Sequence, residues 1–111
     1  MMHAVLIPVT FNDRPAAMAE LDGLVPQTSA MPGFVAGYWV SLSQDRGTAM
    51  VVFDSEDGAQ ALAAVAKGAP AGAVTPGTIE VGEVLAHLLK VDPDALVAQD
   101  EPAKDQGDPL T

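Results

Sequence analysis

Residues 32–54, PGFVAGYWVSLSQDRGTAMVVFD, hold two runs rich in aromatic and β-branched residues with a short polar link between them. Such residues suit a pleated, packed surface, and the pair reads as a β-hairpin. Along residues 34–42 the alternation puts Phe34, Ala36, Tyr38, Val40 and Leu42 on one face. Val35, Gly37, Trp39 and Ser41 fall on the other. Along residues 48–54, Thr48, Met50 and Val52 alternate with Ala49, Val51 and Phe53. A sheet wetted on one side alternates apolar with charged residues, and neither strand does so. The sheet is therefore expected to be covered on both faces. Gln44, Asp45, Arg46 and Gly47 are expected to make the turn, with Gly47 supplying a positive φ.

The other elements fall around this hairpin. Residues 3–11 form an unbroken apolar run, which predicts a central strand with a local irregularity at Pro8. A helix follows, with Asn12 or Asp13 as N-cap and Pro15 in its first turn. Met18, Leu21, Leu24 and Val25 form its apolar stripe, and Pro26 is expected to end it, leaving residues 27–31 as a loop. A second helix starts at the N-cap Ser55, with Glu56 and Asp57 where the helix dipole favours anions. Ala59, Leu62, Ala63 and Ala66 make its buried stripe, Gly68 is the expected C-cap, and Pro70 stops it. Residues 69–77 read as a loop, and residues 78–89 as a last strand with a bulge at Gly82 and edge charges at Glu80 and Glu83. The order β-α-β-β-α-β is that of an α+β, ferredoxin-like fold: a four-stranded antiparallel sheet with two helices on one face. Residues 1–90 are expected to form this domain. Residues 91–111 carry six acids, three prolines and one lysine, which predicts a disordered acidic tail.

Charge and composition exclude several functions. The net charge is −10, from 15 acids and 5 bases, so phosphate backbones and anionic membrane surfaces are repelled. Nucleic-acid and membrane partners are therefore not expected. The apolar start of the chain is short and broken by Pro8, which suits neither a signal peptide nor a membrane span. The absence of cysteine excludes disulfides and thiolate metal sites and fits a reducing, cytoplasmic location.

Few residues carry obvious chemistry. His87 can act as a general base or metal ligand, or stand as a hydrogen-bonded histidine near the end of the last strand. Tyr38 and Trp39 are the only Tyr and Trp. As strand neighbours they face opposite ways, so one belongs to the helix side and the other to the opposite side. Either can pack or stack on a ligand. Asp54, Glu56 and Asp57 are accounted for by a helix start, and no spacing of a metal site, phosphate loop or nucleophile elbow is present.

The strand PGFVAGYW, the junction VVFDSEDGAQALAA and the closing VLAH together resemble the dimeric α/β-barrel superfamily. The likeness covers residues 2–89 and is strongest to small proteins related to antibiotic-biosynthesis monooxygenases. It implies a homodimer with its two sheets face to face and a ligand site between sheet and helices. It implies a cofactor-independent, monooxygenase-like activity on a small aromatic or polyketide-like substrate, with His87 in proton transfer and Asn12, Tyr38 or Trp39 against the ligand. The alternative is a non-catalytic dimeric module that binds a small apolar ligand or serves stress protection. Haem-degrading members use an Asn, a Trp and a His. This chain has Asn12, Trp39 and His87, but its His falls on a strand where theirs lies on a helix, and Asn12 reads first as a cap of the first helix.

Overall fold

The structure, a computed structural model, describes residues 1–88. The acidic tail expected over residues 91–111 lies outside the described residues. The elements are β1 (His3–Phe11), α1 (Arg14–Ser29), β2 (Phe34–Ser41), β3 (Arg46–Phe53), α2 (Glu56–Gly68), β4 (Val74–Pro76) and β5 (Glu80–Glu83). The sheet is antiparallel in the order β2-β3-β1, and β4 and β5 share the remaining side of β1. This is the ferredoxin-like α+β arrangement, with the fourth strand cut in two.

Pro8 explains the cut. Phe11 N–H donates to the Asp45 carbonyl at 2.8 Å, and Gly77 N–H donates to the Pro8 carbonyl at 2.7 Å. Odd residues of β1 thus aim their backbone groups at β3, and even residues aim theirs at β4 and β5. The N–H that Pro8 lacks would have served the fourth strand. There the ladder stops after Pro76, which faces Val9, and resumes at Glu80, which faces Leu6. β1 itself runs through Pro8 in steady register with β3. The expected irregularity is therefore displaced onto the neighbour: the strand expected over residues 78–89 is reduced to β5, and β4 forms within residues 69–77, which read as a loop. Gly82 pairs regularly with Ala4, so the expected bulge there is absent.

The register does slip once, between Phe34 and Ala36. This returns Phe34 to the face of Trp39, not of Tyr38. Its ring meets Phe53 edge-on, with centroids 6.2 Å apart. Just before it, Gly33 takes φ 83° and accepts Asp54 N–H at 2.8 Å, tying the start of β2 to the end of β3. Gly47 departs from its expected role: it lies within β3, and Gly33 is the residue with positive φ among those described. A Cβ at Gly47 would stand 2.8 Å from the Phe11 ring, so glycine serves close approach at that point.

α2 forms as expected. Ser55 Oγ accepts Gly58 N–H at 3.2 Å, and Ala59, Leu62 and Ala63 pack on the sheet with Val5, Val51 and Phe53. The helix runs through Gly68, and its cap is Ala69. α1 departs from expectation at its end. Asp13, not Asn12, is the N-cap, accepting Ala16 N–H at 3.1 Å. The helix then continues through Pro26 to Ser29. A proline one turn from the end removes a single ladder bond. The end is closed by other donors: Ala30 N–H and the Ser29 hydroxyl both bond the Pro26 carbonyl, at 3.1 and 2.9 Å.

Candidate functional site

α2 carries small residues and lies close on the sheet, whereas α1 stands away from it. The space between them is a pocket of about 290 Å³. Its floor is the helix-side face of the sheet: Ile7, Val9 and Phe11 of β1, Ala49 and Val51 of β3, and Trp39 of β2. Met18, Leu21 and Leu24 of α1 form one wall, and Leu62, Val65 and Ala66 of α2 the other. The α1 stripe read from the sequence is real, but it faces open space. Met18 and Leu24 remain 38 % and 46 % exposed.

Four residues with polar side chains join this lining: Glu20, Thr28, Ser41 and Thr48. Ser41 is engaged, accepting from Arg14 Nη2 at 3.0 Å and donating to the Ser43 carbonyl at 3.2 Å. Arg14 Nη1 also donates to the Ser43 and Gln44 carbonyls at 3.1 and 3.2 Å, and the guanidinium lies 5.1 Å over the Phe11 ring. This arginine fastens the start of α1 to the β2–β3 link and fixes the Phe11 end of the pocket. Glu20 is exposed and is the one ionisable side chain among the described lining.

The residues singled out from the sequence do not converge. Trp39 lines the pocket. Tyr38 points to the opposite face of the sheet and is half exposed. Asn12 lies outside the lining; its Nδ2 donates to the Gly72 carbonyl at 2.9 Å and to Thr75 Oγ1 at 2.8 Å, pinning the loop before β4. His87 is exposed beyond the end of β5, also outside the lining. Sequence reasoning missed Arg14, Glu20 and Thr28. Thr28 was hidden because Pro26 reads as a helix stop, which places residues 27–31 in a loop. The signal that could have found the pocket was the α1 stripe, whose Met and Leu side chains are larger than a close helix–sheet contact with α2's alanines would allow.

No family model matches the chain, and no curated protein matches it. Solved structures do. A protein of unknown function from Nitrosomonas europaea, NE2512, is 23% identical with a TM-score of 0.54, covering 83% of this chain and 98% of its own. SnoaB, a cofactor-independent oxygenase from Streptomyces nogalater, is 13% identical with a TM-score of 0.55, covering 78% of this chain and 96% of its own. A mutant of MhuD, solved with two manganese protoporphyrin IX bound per active site, is 13% identical with a TM-score of 0.53, covering 79% and 98%. Likeness at these identities establishes the fold. It is the fold implied by the resemblance to the dimeric α/β-barrel superfamily.

Proposed function

We propose that the protein binds a small apolar molecule, aromatic or polyketide-like, between its helices and sheet and acts on it as a cofactor-independent, monooxygenase-like protein. The observation that carries the binding half is the pocket itself, an apolar cleft of about 290 Å³ with Trp39 in its floor. The catalytic half rests on the shared fold of SnoaB, an oxygenase described as cofactor-independent. Without a cofactor, the substrate must itself supply the electrons that reduce oxygen, so it would be an electron-rich ring system. Trp39 is the proposed ligand contact. His87, outside the pocket, is not part of the proposal, and Tyr38 is assigned to the other face. The described lining contains no histidine, and no haem-binding role is proposed.

A specific observation favours a second reading. A lining with Glu20 as its one ionisable group suits a non-catalytic binding module. One experiment separates the two. Trp39 is the only tryptophan, so its fluorescence reports ligand at the pocket directly. Saturable quenching by electron-rich aromatics, with oxygen consumed by the same mixtures, supports the oxygenase. Quenching without oxygen uptake supports the module. No quenching by any apolar ring system would remove both.

We also infer a homodimer through the face of the sheet turned from the helices. The register gathers Leu6, Tyr38, Val40 and Met50 on that face, with Glu80 opposite Leu6 and Arg46 opposite Thr10 at its margins. An apolar centre with a charged rim is the anatomy of an association surface. Two-fold closure of such a surface on itself is the commonest solution.

A further inference from the structure

Thr28 is the one polar residue buried among the described residues, at 3 % exposure, and it lines the pocket. Its hydroxyl has no hydrogen-bond partner among the described residues, although the neighbouring Ser29 hydroxyl donates to the Pro26 carbonyl. A helical threonine ordinarily bonds back to the carbonyl one turn earlier, and a buried hydroxyl left without a partner is disfavoured. The remaining polar side chains of the lining offer no such capacity at depth. Ser41 is held by Arg14 and Ser43, Glu20 sits exposed, and Thr48, paired with Val40, belongs to the face of the sheet turned from the helices.

We propose that Thr28 is a specificity-determining residue, whose hydroxyl takes the single polar group, a hydroxyl or ketone oxygen, of an otherwise apolar ring ligand. This rests on the reading of the pocket as a ligand site and names the chemical class it selects. Threonine both donates and accepts, so it fits a phenol or a ketone equally. The exposed Glu20 carboxylate and the net charge of −10 disfavour an anionic head group, so the ligand is not an anion.

Valine has nearly the shape of threonine without the hydroxyl, which makes Thr28→Val the direct test, with Thr28→Ser as the variant that keeps the hydroxyl. The probes are 2-naphthol, naphthalene and 2-naphthoate, titrated by calorimetry against the full chain. The wild type is expected to bind 2-naphthol roughly tenfold more tightly than naphthalene, the value of one hydrogen bond to a desolvated group. It is expected to bind 2-naphthoate most weakly. Thr28→Val is expected to erase the preference for naphthol, leave naphthalene unchanged and raise the melting temperature of the free protein. Thr28→Ser is expected to retain the preference. If the wild type binds naphthol and naphthalene equally, or if Thr28→Val keeps the preference or lowers the melting temperature, this proposal falls while the ligand site stands. If none of the probes binds, the ligand site falls with it.

Discussion

On the helix side of the sheet, Val5, Val51 and Phe53 are sealed beneath α2, each no more than 1 % exposed. On the other side, their strand neighbours Leu6 and Met50 are 40 % and 39 % exposed, and Tyr38 is 51 % exposed. The same strands supply both faces, and both faces are apolar. The difference lies in what covers them. Two helices sit on one side, and one of them, α1, stands off far enough to leave a pocket. The other side carries no helix among the described residues; Val52 is buried there, but Leu6, Met50 and Tyr38 stay open. An apolar face left bare in this way marks a surface for association more than a surface for solvent. The alternation of a strand decides only which residues share a face; the size of the side chains on the facing helix decides whether that face becomes core or cavity. Alanines in α2 make core, and Met18, Leu21 and Leu24 in α1 frame a cavity.

The largest effect should come from the sealed side. Phe53→Ala removes a fully buried ring and is expected to lower stability by about 3–5 kcal/mol, read from the shift of a urea unfolding midpoint. A shift of less than about 1 kcal/mol would mean that the core does not centre on β3 and α2.

On the bare side, Met50→Lys should leave the fold intact and strike association. An unpaired charge placed in an apolar interface is expected to weaken self-association by about 3 kcal/mol. Sedimentation of a dilution series measures this, with circular dichroism to confirm folding. Unchanged association would place any interface elsewhere.

The floor of the pocket should respond less. A Cβ at Gly37 would stand 2.7 Å from Trp39 Cη2 and 2.8 Å from its Cζ3. Gly37→Ala must therefore displace the indole ring, at an expected cost of about 1–3 kcal/mol. A shift in tryptophan emission should accompany it, and an unshifted spectrum would mean the ring has room that the structure does not show.

Arg14→Ala should have the smallest effect, about 1 kcal/mol, because its three hydrogen bonds are partly wetted. Faster amide exchange confined to residues 41–46 and the first turn of α1 is the expected signature. Uniform exchange across the sheet would contradict a local clasp.

Much of the fold was legible because its signals were local. Alternation in residues 34–42 and 48–54 put Tyr38 and Trp39 on opposite faces, and Ser55 with Glu56 and Asp57 marked α2. What was not legible depended on partners far along the chain. Pro8 disturbs β4 and β5, not β1, because even residues of β1 serve that side. Pro26 fails to stop α1 because Ser29 and Ala30 close its end. The slip at Phe34 follows from packing on Phe53, which alternation alone does not encode. The site was less legible still. A pocket is a distance between elements, and Thr28 enters it only once the helix is known to continue past Pro26.

The division of the sheet into a ligand-facing side and a self-facing side is tested most directly by sedimentation velocity of the unmodified chain at micromolar concentration and physiological salt. Screening over roughly 8 Å leaves the charge of −10 a weak obstacle to association. The expected result is a single species of twice the chain mass. A folded protein that sediments at the chain mass would contradict the account, because Leu6, Tyr38, Val40 and Met50 would then face water with no partner.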